Sequence, residues 1–147
     1  MQIYYWCPYL TNIATIKSVI RSAKSLKKYI KLNLGEKNEI TILNTSGEWS
    51  FLKKNSFNIE VKNLLSFDFF KYLPKEGFVQ SRLSFLIIFF TNFFPLLLLI
   101  RNKKPTYLVV HLLTILPILL SPLLSKHTKI ILRISGLPNL NFFRKFV

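Results

Sequence analysis

His111 is the side chain of this sequence whose type and position most directly suggest chemistry. It closes the apolar run Tyr107 to His111, which predicts a buried β-strand. At a strand end, a neutral imidazole can position an acceptor hydroxyl or contact a phosphate. A lone histidine is also often structural, so both interpretations stay open.

Arg133 lies in a second predicted strand, Lys129 to Ile134, just before the turn that contains Ser135 and Gly136. A charged group inside a strand is costly to bury unless it is paired. Arg133 is therefore predicted either to bind a carboxylate or phosphate or to be held by an internal acidic partner.

Three polar side chains surround the start of the first predicted helix: Thr11, Asn12 and Thr15. Free backbone N–H groups and the helix dipole favour an anion at such a position. The loop from Cys7 to Ala14 has no glycine, so it is not the glycine-rich dinucleotide fingerprint. The alternative is that Thr11 or Asn12 only caps the helix.

Glu48 and Trp49 follow a turn that begins at Asn44. A carboxylate beside an indole can hydrogen-bond to a sugar and stack on it. The same residues also make an ordinary surface turn, which we slightly favour, because Glu48 has no second carboxylate for paired acid and base catalysis.

The elements that must position these residues alternate along the chain. A helix is predicted from apolar residues at helical spacing, beginning with Ile16, Val19 and Ile20. The predicted strands are Gln2–Trp6, Glu39–Leu43, Asn58–Val61, Tyr107–His111 and Lys129–Ile134. Strands that alternate with helices predict an α/β fold, a Rossmann-like parallel sheet with helices on both faces.

Ligands of such sheets bind beyond the carboxyl ends of the strands. The loops predicted to line this rim are Cys7–Ala14, Asn44–Trp49, His111–Thr114 and Ser135–Asn139. No catalytic triad, metal cluster or glycine-rich phosphate loop with lysine is found in the sequence.

Two uncharged runs, Leu83–Ile100 and Tyr107–Leu124, provide a rival fold, a hairpin that crosses the membrane twice. Basic residues occur before, between and after the runs, which fits no orientation under the positive-inside rule. We therefore favour the sheet. The segment from Gln80 to Arg101 is predicted to be a helix, either fully buried or resting with one face in a membrane interface.

Lys and Arg number 21 against 6 Asp and Glu, a net charge of +15. An A/T-rich genome also gives such a lysine-rich composition. Because the basic residues flank apolar stretches, we expect an anionic membrane surface as partner and no nucleic acid. Cys7 is the single cysteine and no signal peptide is evident, which predicts the cytoplasmic face of the membrane.

Several segments together resemble the amino-terminal domain of family 4 glycosyltransferases, bacterial cell-surface polysaccharide type. The segments are Ile3–Leu10 with the following TIKSVIRSAKSL, Ile42–Trp49, Lys71–Phe85 and Arg133–Lys145. The resemblance implies one half of a GT-B architecture, in which two Rossmann-like domains face each other.

The resemblance also implies a function. This half would hold a glycan or glycolipid acceptor, and a nucleotide sugar would be the donor substrate, with no bound cofactor. The segment from Thr11 to Thr15 and His111 would be the ligand contacts. The donor domain would lie beyond Val147, so we expect residues 1 to 147 to be a truncated acceptor-side domain with little activity alone.

Two other functions stay open. One is a small non-enzymatic membrane protein with two apolar spans. The other is a noncatalytic partner that docks on a separate donor domain.

Overall fold

The strands and helices alternate along the chain in the computed structural model, which describes residues 1–11, 14–34, 39–54, 59–111, 115–124 and 126–133. In chain order they are β1 (Gln2–Trp6), α1 (Ala14–Leu34), β2 (Glu39–Asn44), α2 (Ser50–Lys54), β3 (Glu60–Asn63), α3 (Phe78–Lys103), β4 (Tyr107–His111), α4 (Ile115–Leu119) and β5 (Lys129–Arg133). Two short 3-10 helices, Phe70–Tyr72 and Ser121–Leu123, precede α3 and β5.

The five strands form one parallel sheet in the order β3-β2-β1-β4-β5. From β1 the chain moves outward to β2 and β3, then returns past β1 to place β4 on its other side. The order therefore reverses between β1 and β4, where Trp6 lies opposite Val110. This is the topological switch point of a doubly wound sheet, and the predicted α/β Rossmann-like class is confirmed.

Helices cover both faces of the sheet, as predicted. On one face, α1 buries Ile16, Val19, Ala23 and Ile30, the residues whose spacing predicted the helix. On the other face, α3 and α4 pack on apolar residues of β1, β2 and β4. That second core includes Tyr4, Trp6, Leu43, Leu96, Ile100, Leu108, Val110, Leu116 and Leu120.

The helix α3 buries a stripe only one residue wide, at every fourth position. The stripe consists of Ser84, Ile88, Asn92, Leu96 and Ile100. Its opposite side exposes large apolar side chains, among them Phe90 and Phe94, each about two-thirds exposed. Among the described residues, α3 is the helix long and apolar enough to cross a membrane, by length and composition alone.

The second apolar run does not form a membrane span, so the two-span fold is wrong. Its first part is β4, whose backbone pairs with β1 and β5 and whose side chains are largely buried. Its later part contains the short helix α4 and one 3-10 turn. Pro117 and Pro122 fit these short elements because proline is tolerated near helix starts.

Two strand predictions differ in detail from the structure. The third strand is β3, Glu60–Asn63, and so begins later than the predicted Asn58–Val61. It is an edge strand with no fully buried residue, so hydrophobicity marks it poorly. Arg133 is the last residue of β5 and is exposed on the other edge, so the predicted cost of burying it does not arise.

Candidate functional site

His111 lies at the carboxyl end of β4, next to the switch point. Its side chain is 2% exposed and its ring stacks on Tyr5 of β1, with ring centres 5.6 Å apart. The Nε2 atom is buried and has no hydrogen-bond partner among the described residues. Buried polar atoms are nearly always satisfied, so this nitrogen needs an explanation.

The surroundings keep the His111 ring neutral. Burial lowers its pKa to about 4, and the positive charge of Arg133 acts in the same direction. Arg133 is the register partner of His111 on β5, so both side chains leave the sheet on one face. At neutral pH the ring can donate one hydrogen bond and accept another, but it carries no charge.

Arg133 has no acidic partner among the described residues. It lines an open groove together with residues of α1. Of the two roles predicted for Arg133, an internal ion pair therefore has no support in the described part of the chain. The arginine is exposed and accessible to a ligand.

Glu48 lies in a buried loop, which contradicts the expected surface turn. Its carboxylate accepts four hydrogen bonds, all from its own loop: the Thr45 N–H and hydroxyl donate to Oε1 at 3.1 and 2.8 Å, and those of Ser46 to Oε2 at 2.7 and 2.9 Å. Burial raises the pKa of Glu48, and these hydrogen bonds oppose the rise. With its acceptor positions filled, the carboxylate holds the loop.

Hydrogen bonds lock the loops after β1 and β2 together, and one of the residues that make them, Tyr9, was not singled out in the sequence. The Trp49 indole N–H donates to the Cys7 carbonyl, and the Tyr9 hydroxyl donates to the Glu48 carbonyl. The Asn44 side-chain oxygen accepts from the N–H groups of Gly47 and Trp49. The sequence signal for the Asn44 hydrogen bonds is an asparagine that ends a strand directly before a Thr-Ser-Gly turn.

Trp49 is fully buried and packs edge-on against Tyr9, at 5.0 Å between ring centres. It therefore offers no face on which a sugar could stack. Gly47 has a φ of +109°, and a side chain there would overlap the carboxylate of Asp68, so this turn requires glycine.

The remaining candidates are only partly described. Thr11 is exposed in the loop after β1, and Thr15 lies in the first turn of α1, as predicted. Asn12, Ser135 and Gly136 lie outside the described residues. The anion site at the start of α1 therefore remains a prediction.

The described residues contain no group of three His, Cys, Asp or Glu that could hold a metal ion. Cys7 lies at the switch point, one residue after Trp6, and its thiol is buried. Burial raises the pKa of this thiol to about 12, with a further contribution from Glu48. Cys7 is thus a small apolar side chain rather than a nucleophile.

Comparison of the chain with protein-family models, with curated proteins and with solved structures finds no match. The fold and the residues of the switch point are therefore what bears on function.

Proposed function

We propose that the chain is the acceptor-side domain of a nucleotide-sugar-dependent glycosyltransferase of the GT-B type, which transfers a sugar to a lipid-linked or cell-surface glycan. The observation that carries the proposal is the buried Nε2 of His111 at the switch point, for which the described residues provide no hydrogen-bond partner. Open parallel sheets bind their ligands at this position.

The electrostatics of His111 favour a positioning role over proton abstraction. A group with a pKa near 4 is a weak base at neutral pH, whereas a neutral imidazole still makes a directional hydrogen bond. An acceptor hydroxyl or a phosphate oxygen bonded to Nε2 would satisfy the unpartnered atom. The hydrogen-bonded loops after β1 and β2 would keep the neighbouring part of the rim rigid.

The exposed face of α3 supports an anionic membrane surface as partner. Its apolar side chains are bordered at the helix end by Arg101, Lys103 and Lys104. Apolar side chains enter the acyl boundary while lysine and arginine contact lipid phosphates. Such an arrangement suits an enzyme of the cytoplasmic membrane face whose acceptor is a lipid-linked glycan.

The nucleotide sugar would be a substrate bound mainly by a separate donor domain, as the family resemblance implies. The acceptor would bind to the described domain, which would also contribute the loop before α1 to the site. No bound cofactor enters the proposal.

Sugar transfer in membranes tests the proposal. Membranes from cells that express the chain with its neighbouring reading frames would be incubated with radiolabelled nucleotide sugars. We expect label to enter a lipid-linked or polysaccharide product, and His111→Ala to lower the rate at least about tenfold, because a positioned hydrogen bond is lost.

The matched control is His127→Ala, since His127 is the other histidine and is exposed outside the switch point. Equal loss in both variants, or a rate unchanged by His111→Ala, removes His111 from the site. Absence of transfer with every nucleotide sugar would contradict the proposed function.

A further inference from the structure

A polar groove lies between α1 and the edge strand β5, and the function proposed above does not use it. Its volume is about 550 Å³, within the range of small-molecule sites. The lining residues are Lys17, Ser18, Arg21, Ser22, Ser25 and Arg133. Three cations and three hydroxyl groups thus share one concave surface.

The spacing of the α1 residues explains why they meet. Lys17, Arg21 and Ser25 are four residues apart, and Ser18 and Ser22 follow the same interval, so all five share one side of the helix. Arg133 approaches from the opposite wall because strand β5 lies beyond β4 in the sheet. The structure therefore joins cations more than 110 residues apart in the sequence.

Within the described part of the chain, no carboxylate lines the groove. Among the described acidic residues, Glu39 and Glu60 lie at the amino-terminal starts of β2 and β3, away from the carboxyl rim. Glu48 is hydrogen-bonded within its own loop, and Asp68 accepts from Ser50. Three neighbouring positive charges repel one another, so an anion bound among them is electrostatically favoured.

Buried polar groups connect the groove to the switch point. The Tyr5 hydroxyl lies 3.2 Å from Ser22 Oγ in the groove wall, and the Tyr5 ring stacks on His111. His111 holds the unpartnered Nε2 and is paired in register with Arg133. The cationic wall and the His111 ring are therefore on the same face of the sheet.

We propose that this groove binds a diphosphate group carried by a larger molecule. Three cations match the two to three negative charges of a diphosphate, and serine hydroxyls donate to the remaining oxygens. A single carboxylate would leave two cations uncompensated. The site stands on the geometry of the groove and does not require the transferase function.

Titration calorimetry of the full chain with inorganic pyrophosphate tests the site, at about 0.15 M salt, where long-range attraction is screened. We expect saturable binding with one site per chain. Lys17→Gln and Arg133→Gln should each raise the dissociation constant roughly tenfold, because each removes a charge-assisted hydrogen bond.

The matched controls are Lys28→Gln, an exposed lysine of α1 outside the groove, and Lys129→Gln, an exposed lysine at the start of β5 that is also outside it. Both should bind pyrophosphate as the unmodified chain does. Equal losses in the controls would show attraction to net charge alone and overturn the site. So would absence of saturable binding by a chain whose circular dichroism shows it folded.

Competition then distinguishes the two sources of a diphosphate. A soluble nucleoside diphosphate and vesicles that contain a diphosphate-headed lipid are compared as competitors of pyrophosphate, and the stronger identifies the carrier. Pyrophosphate binding that persists in a chain without any sugar transfer would leave this site standing while the transferase proposal fails.

Discussion

At the scale of single residues, two buried polar side chains of the carboxyl rim have opposite roles. Glu48 has every acceptor position filled by its own loop, whereas one ring nitrogen of His111 has no partner among the residues that the structure describes. A filled hydrogen-bonding group stabilises structure, whereas a buried group without a partner needs an explanation, such as a bound water molecule or ligand. The sequence placed both residues on the rim but did not distinguish these roles.

The lowered pKa of His111 predicts that the folded chain loses stability in acid. Above pH 6.5 the ring is neutral in both the folded and the unfolded chain, so its contribution to stability is complete. As the pH falls from 6.5 towards 4, the His111 ring binds a proton in the unfolded chain but stays largely neutral in the folded chain. The free energy of unfolding should fall by on the order of 2 kcal/mol over this window.

Urea unfolding at pH 7.5 and pH 4.5 measures this loss. His111→Gln should reduce the difference between the two pH values, while His127→Gln should leave it unchanged. If the His111 variant retained the full pH dependence, the neutral buried ring would not be its cause.

Because the Glu48 carboxylate is hydrogen-bonded within its own loop, we expect its substitution to lower stability rather than ligand binding. Glu48→Gln replaces one acceptor oxygen by an NH₂ group, which faces donors of Thr45 or Ser46. We expect the free energy of unfolding to fall by about 2 to 4 kcal/mol, since buried donors are left unpaired. Urea unfolding is the measurement, and exposed Glu76→Gln is the control with little change.

At the scale of elements, α3 is the helix whose role the packing decides. A narrow stripe packs on the sheet, and the exposed side presents aromatic and aliphatic side chains next to a basic helix end. The fully buried helix considered from the sequence is wrong. The interfacial alternative fits this exposure and stays a proposal.

Vesicle sedimentation tests the interfacial role of α3. The double change Phe90→Ser and Phe94→Ser should weaken binding to anionic phosphatidylglycerol vesicles at least tenfold. Burial of each exposed ring in lipid would contribute about 1.5 to 3 kcal/mol to the free energy of binding. Leu32→Ser, on the exposed side of α1, should have little effect.

Extraction of cell membranes distinguishes interfacial binding of α3 from a membrane-spanning α3. Carbonate or high salt should release a peripherally bound chain, since basic residues supply part of the attraction. A chain that needs detergent for release would contradict interfacial binding and favour a spanning α3.

At the scale of the whole molecule, the strand order creates both proposed sites. The return of the chain from β3 past β1 to β4 places His111 beside the switch point, and the next strand outward brings Arg133 opposite α1. In this order, the cations of α1 and Arg133 share one groove.

Local patterns of the sequence were sufficient to predict α1, α3 and the central strands, but not the bounds of β3 or the short helix α2. Periodic apolar residues defined α1, and the apolar runs of β1 and β4 marked central strands, because a strand buried on both faces is hydrophobic throughout. The alternation of these elements determined the α/β class, and His111 was correctly placed at a strand end.

Only the tertiary structure decided which polar residues are buried and which surfaces meet. Glu48 and Trp49 have the composition of a surface turn, yet hydrogen bonds to Cys7 and Tyr9, about 40 residues earlier, keep that loop buried. Likewise, no local pattern relates Lys17 to Arg133. Burial and long-range pairing depend on strand order, which the periodicity of single segments does not encode.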